Sequence, residues 1–274
     1  MRILAFDLDG TCLHDHFEIS PRNRQALKDA AEMGIILLPA TGRNFQSAPA
    51  CIMEMPEIRY VMTANGASIY DKDQKKVIYR DLIPNEKARL AQKILDEYSI
   101  YTEYYIDGHA YAKKDAFMER FAGFEAPKEI VEKFIQQVRF IEDFHELLHD
   151  AQICPEKVNM VPVPENIYEQ LQQRLEGLGG LEVTSSFPQN MEYNSITATK
   201  GNTLKAFAEK LGVTPDEVMA LGDGGNDTGM LRYAGYSFAM RNGTDEVKTA
   251  AKYIAEDCEK DGLGKAVEHY VLGK

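Results

Sequence analysis

This chain of 274 residues has no tryptophan, only four cysteines and a shortage of cationic side chains. It also has no run of about 18 consecutive apolar residues, which excludes a helical membrane span, so no membrane partner is expected. Cys12, Cys51, Cys154 and Cys258 are scattered without a CxxC pair. That spacing argues against a disulfide framework or a cysteine zinc site and fits a reducing, cytoplasmic location. The opening MRILAFDLDG carries one basic residue and an early acid, unlike a signal peptide. Lysine and arginine number 31 against 43 aspartates and glutamates, a net charge of -12. Without a basic stripe or tryptophan platforms, no nucleic-acid partner is expected. The same balance argues at first against small anionic substrates, an inference that a few local residues overturn.

What is present suits a packed globular protein: 44% of residues are hydrophobic and 27% charged. The length fits one large domain or two smaller ones. Ile3 to Phe6 is an unbroken apolar run, as a buried parallel strand requires. Ser20-Pro21 is an N-cap followed by proline at the first helical turn. Leu27, Ala30 and Ala31 supply that helix with an apolar face, and Gly34 ends it. Further strands are expected at Ile35–Leu38 and Tyr60–Met62, with a hairpin over Ser68–Tyr79. After residue 190 strand and helix alternate again: a Leu204, Phe207, Ala208, Leu211 stripe, then strands at Val218–Leu221, Tyr236–Met240 and Tyr253–Ala255. This alternation predicts a doubly wound, Rossmann-like parallel sheet with helices on both faces. Residues 82–189 interrupt it with amphipathic helices and β-rich stretches (Tyr101–Ile106, Lys157–Val161, Leu181–Thr184). They read as an inserted α/β domain, leaving 1–81 plus 190–274 as the core. The insertion also holds most of the acidic excess.

Four short segments stand where such sheets bind ligands. Asp7-Leu8-Asp9-Gly10-Thr11 follows the first strand, and paired acids at that edge suit a hard divalent cation. Thr41-Gly42-Arg43 follows the second strand and offers a hydroxyl and loop amides to an anion. Lys200 opens a helix, where the macrodipole disfavours a cation unless an anion is bound there. Gly222-Asp223-Gly224-Gly225-Asn226-Asp227 closes another strand, with an acid for metal and an amide for an oxyanion. Each has a plainer reading alone, as a turn or a solvated lysine. All four in this order make coincidence improbable.

These four segments resemble the motifs of the haloacid dehalogenase superfamily of phosphohydrolases. The large insertion between the second and third is similar to the Cof-type subfamily with a C2-type α/β cap, as is the loop Asn65-Gly66-Ala67. The resemblance implies a phosphatase acting on small phosphorylated metabolites with Mg2+ as cofactor. It implies Asp7 as nucleophile and Asp9 as acid and base. It implies a cation held by Asp7, the Asp9 backbone and Asp223, with Asp227 in support. Phosphate would be gripped by the Leu8 amide, Thr41, Gly42, Lys200 and Asn226, with Arg43 reaching either phosphate or cap. A phosphomutase or phosphotransferase of the same fold is the alternative.

One motif points elsewhere. His145-Glu146-Leu147-Leu148-His149 matches HExxH, which on a helix puts two imidazoles on one face for zinc, with Glu146 as general base. The extended metzincin pattern fails at Gln152 and Pro155. His14-Asp15-His16 is a further candidate for metal but reads better as a solvated loop. The tyrosines at 101, 104 and 105 read better as strand packing than as a stacking platform.

Overall fold

The structure, a computed structural model, describes residues 1–15, 17–121, 135–186 and 188–274, so His16 lies outside it. The chain divides into two compact units.

The first unit comprises Met1–Arg43, Ala48–Tyr79 and Thr199–Lys274. Its centre is a five-stranded sheet in the spatial order Tyr253–Ile254, Tyr236–Ala239, Val218–Gly222, Ile3–Phe6, Ile36–Pro39. Every pairing in it is parallel. Because successive side chains point to opposite faces, each strand serves two cores. Leu4, Phe6, Leu37, Met219, Leu221 and Phe238 pack with Ala26, Leu27, Leu263 and Val267 of the helices Pro21–Glu32 and Gly262–Tyr270. Ile3, Ala5, Leu38, Val218 and Ala220 pack on the other face with Leu204, Phe207, Met230 and Leu231 of the helices Lys200–Lys210 and Thr228–Tyr233. The doubly wound sheet expected from the apolar runs is therefore present. The Pro21–Glu32 helix starts as its sequence implies, with the Ser20 hydroxyl accepting from the Asn23 amide at 3.1 Å.

Tyr60–Thr63 differs from a simple third core strand. It pairs antiparallel with Ser68–Asp71 in a separate three-stranded sheet completed by Lys76–Arg80. One bridge, Ala40 to Met62, joins it to the main sheet.

The second unit comprises Asn44–Ser47 and Arg80–Ala198. Its six-stranded sheet runs Val138–Ile141, His109–Lys113, Thr102–Ile106, Lys157–Met160, Met191–Ser195, Leu181–Thr184. The first pair is parallel and the others antiparallel. The Met191–Ser195 strand lies beyond the boundary at 189 expected from sequence, so residues up to Ala198 sort with this unit. One sheet face packs Tyr104, Val158, Met160 and Tyr193 against Ala88, Leu95, Leu148 and Leu171 of the helices Asn85–Leu95, Phe144–His149 and Glu165–Glu176. The other face is mixed: Lys157 meets Glu192 at 3.0 Å and Tyr101 donates to Glu103 at 2.7 Å, while Tyr101, Ala112, Phe117 and Val161 form a smaller apolar cluster. Strand alternation sends Tyr104 into the helix-facing core and Tyr105 to the opposite face beside Lys157, while Tyr101, just before the strand, packs with Phe117. Among the described residues, no helix is long and apolar enough to cross a membrane.

Candidate active site

The strands Ile3–Phe6 and Val218–Gly222 are parallel neighbours. The chain leaves the first to build Ile36–Pro39 on one side, and only later adds Val218–Gly222 on the other. This is a topological switch point, where open α/β sheets leave a crevice at their carboxyl edge. Asp7 and Asp223 are the residues that follow these two strands. The Asp7 amide donates to the Leu221 carbonyl at 3.0 Å, extending the ladder by one bond. Beyond Asp7 the chain turns tightly, with the Leu8 carbonyl accepting from Cys12 and Leu13 at 3.0 and 2.9 Å. Gly10 permits that turn with a φ of +78°, and a Cβ there would lie 2.8 Å from Asp223 Cγ and closer still to Oδ2. Only glycine lets the Asp223 carboxylate sit against this loop. Thr11 Oγ1 then donates to Asp223 Oδ1 at 2.7 Å.

Asp227 ties the Gly-rich loop together. Its Oδ2 accepts from the Asp223 and Gly224 amides at 2.9 and 3.0 Å, and its Oδ1 accepts from Lys200 Nζ at 2.7 Å. Lys200 Nζ also donates to Asp7 Oδ1 at 2.6 Å. The lysine side chain is completely buried. Its place in the first turn of Lys200–Lys210 conflicts with the helix dipole, and the protein's own carboxylates resolve that conflict. Burial works to lower the Lys200 pKa, but Asp227 and Asp7 outweigh it and hold the ammonium above its ordinary value. Burial drives the Asp7 carboxyl well above the ordinary range against the pull of Lys200, and Asp227 and Asp223 add to the rise. Asp223 is pushed up to about 6, first by burial and then by Asp227, with Thr11 and Lys200 opposing.

Thr41 is buried, its hydroxyl accepting from the Arg43 amide at 3.1 Å. Gly42 lies between them in the turn after Ile36–Pro39. The Arg43 guanidinium clasps Asp9 in two-pronged fashion, Nε on Oδ2 at 2.9 Å and Nη2 on Oδ1 at 2.6 Å. Asn226 Nδ2 donates to Asn65 Oδ1 at 3.1 Å, and Thr203 Oγ1 donates to the Gly66 carbonyl at 2.7 Å. A Cβ on Gly66 would stand 2.6 Å from the Thr199 carbonyl carbon, so the Asn65-Gly66 turn lies directly under the start of the Lys200 helix. Sequence reasoning gave no role to Thr11, Asn65 or Thr203. The Asn-Gly pair, apt for the left-handed turn seen at Asn65, was the available signal.

Asp7, Asp223 and Asp227 each offer a carboxylate oxygen within 4.8 Å of the others. Among the described residues this is the one such group of three or more histidines, cysteines, aspartates or glutamates. The HExxH segment does form a helix, Phe144–His149, with His145 Nε2 and Asp96 Oδ2 2.6 Å apart, but among the described residues no third ligand joins it and the zinc reading finds no site.

Residues 4–267 match the family model of haloacid dehalogenase-like hydrolases. The chain belongs to this family. Among curated haloacid dehalogenase-like relatives, the Bacillus subtilis 5-amino-6-(5-phospho-D-ribitylamino)uracil phosphatase YcsE is 29% identical over 99% of this chain and 96% of its own. The Escherichia coli pyridoxal phosphate phosphatase YbhA is 26% identical over 99% of each chain. The solved structure of a haloacid dehalogenase-like hydrolase from B. subtilis superposes with a TM-score of 0.82 at 28% identity, covering 99% of this chain and all of that one. This protein is accordingly an enzyme of the hydrolase class whose relatives are phosphatases.

Proposed function

We propose that the protein is a Mg2+-dependent phosphatase that removes phosphate from a small phosphorylated metabolite by way of an aspartyl-phosphate on Asp7. The observation that carries this reading is the buried group of Asp7, Asp223 and Asp227 at the switch point, with Lys200 built into it. The donors fit a hard cation: all are carboxylate oxygens, with no nitrogen or sulfur among them. Charge also fits, because burial and mutual repulsion raise Asp7 and Asp223 even with Lys200 in place. Asp7 and Asp223 would hold the ion, with the Asp9 backbone carbonyl; Asp227, whose oxygens already serve Lys200 and two amides, supports them. When bound, the cation offsets charge on the transferring phosphoryl group.

The chain's own residues supply the rest. The Asp7 carboxylate attacks phosphorus as the ester oxygen departs, and Asp9 gives that oxygen a proton. Asp9 then takes a proton from a water that attacks the acyl phosphate, freeing Asp7 and inorganic phosphate. The Leu8 amide, Thr41, Gly42, Lys200 and Asn226 are the donors for the phosphate oxygens, with Arg43, whose guanidinium clasps Asp9, as a further candidate. The unit of Asn44–Ser47 and Arg80–Ala198 is read as the cap that selects the substrate. The relatives' substrates, a ribitylaminouracil phosphate and pyridoxal phosphate, support a small phosphorylated metabolite as the class. Hydrolysis of p-nitrophenyl phosphate with MgCl2 tests the reading. Asp7→Asn is expected to lower kcat by at least about 1,000-fold, and undiminished turnover would overturn it. A panel of sugar, nucleotide and cofactor phosphates then identifies the substrate.

A further inference from the structure

The Phe144–His149 helix borders a pocket of about 160 Å3 in the Arg80–Ala198 unit. Leu95, Ile100, Ala116 and Phe144 give it apolar walls, and Gln92, Asp96, Tyr98, Thr102 and Lys113 give it polar ones. Most of the polar groups are already engaged. Asp96 accepts from His145 at 2.6 Å on one oxygen and from Gln92 Nε2 at 2.7 Å on the other. Gln92 Oε1 accepts from Tyr104 at 2.8 Å. The Thr102 hydroxyl donates to the Ile100 carbonyl at 3.2 Å. Tyr98 accepts from Arg174 at 2.9 Å and keeps its own proton for another acceptor.

Among the described residues the Lys113 ammonium makes no ion pair or hydrogen bond; it lies 5.7 Å from the Phe144 ring centroid, and against the effect of burial its charge joins Gln92 and His145 in holding the Asp96 carboxyl below its ordinary value. The pocket thus presents an ammonium, a phenol proton and the second Gln92 amide proton, while its one carboxylate is satisfied. A partly buried ammonium without a hydrogen-bond partner favours an added anion, which makes a charge-assisted bond to it. A cavity of about 150 Å3 accommodates benzene, so this one has room for a six-membered ring with its charged group toward the lysine.

We propose that this pocket is a second ligand site, taking a small carboxylate with a flat apolar body, the carboxylate on Lys113 and the body against Phe144. Isothermal titration calorimetry of the full chain with benzoate tests it. Benzoate is expected to bind with a stoichiometry of one, and Lys113→Met to weaken it about tenfold, as loss of a charged hydrogen bond does. Benzyl alcohol, the same body without charge, is expected to bind about tenfold more weakly than benzoate, and Ala116→Phe to abolish binding by filling the cavity. Asp7→Asn is expected to leave the affinity unchanged. Absence of binding, equal affinity in Lys113→Met, or loss in Asp7→Asn alone would each overturn the proposal. Should Lys113→Met fail to fold by circular dichroism, the Ala116→Phe and benzyl alcohol measurements decide it.

Discussion

Arg43 grips both carboxylate oxygens of Asp9, at 2.9 and 2.6 Å, from a turn 34 residues away in sequence. A two-pronged guanidinium–carboxylate pair fixes orientation as well as charge, and lysine cannot reproduce it. If Asp9 carries the proton, the clasp decides where that proton is delivered. Arg43→Lys is therefore expected to lower kcat by about 10- to 100-fold. The loss should be smaller for p-nitrophenyl phosphate, whose leaving group needs little protonation, than for an alkyl phosphate. An equal loss on both, confined to KM, would assign Arg43 to phosphate binding instead.

Lys200 lies between Asp7 and Asp227, at 2.6 and 2.7 Å, with no solvent access. Removing one member of a buried ionic group strands the others. Lys200→Met is expected to cost about 3–5 kcal/mol in urea unfolding. If the three carboxylates hold a divalent cation, MgCl2 will restore part of that loss, because it binds the folded state alone. A variant whose midpoint does not respond to MgCl2 would count against the metal assignment.

These two contacts mark the limit of what the sequence discloses. Ile3–Phe6 and Val218–Gly222 were legible because a strand buried on both faces is an unbroken apolar run, and the acids that follow announce a ligand edge. The same reading could not tell that Lys200 turns inward, since its partners are 193 and 27 residues away. It left Arg43 between phosphate and cap for the same reason. The boundary expected at 189 and the division of the two units at Ala198 differ by the Met191–Ser195 strand, which is marked by its ladders to Lys157–Met160 and Leu181–Thr184, not by its own pattern.

Two glycines with nearly the same φ separate strain from function. Gly10 and Gly34 have φ of +78° and +83°, but a Cβ on Gly10 strikes the Asp223 carboxylate whereas one on Gly34 meets nothing within 4 Å. Both Gly10→Ala and Gly34→Ala are expected to lose about 1 kcal/mol or more from the left-handed conformation. Only Gly10→Ala should also raise the Mg2+ concentration for half-maximal activity, by several-fold. Matching Mg2+ curves for the two variants would show that the Gly10–Asp223 contact is irrelevant to the metal.

Asp71 supplies an acid-stability test outside the group of Asp7, Asp223 and Asp227. Its side chain is buried at the end of Ser68–Asp71, where it accepts from Arg59 at 2.8 and 3.1 Å and from the Asp73 and Gln74 amides at 3.0 and 3.1 Å. These donors, Arg59 foremost, hold the carboxyl below its ordinary value. The unfolded chain therefore takes up a proton more readily than the folded one as pH falls. The stabilisation is complete above the unfolded pKa of about 4 and fades as pH drops below it toward the folded value. Asp71→Asn is expected to be less stable than wild type at pH 7, with the gap narrowing below about pH 4. Urea midpoints of both proteins at pH 7, 5, 4 and 3, about three points of which bracket the change, give the comparison. A gap of constant size across that series would show that the Asp71 charge contributes nothing, leaving only the hydrogen bonds that asparagine can also accept.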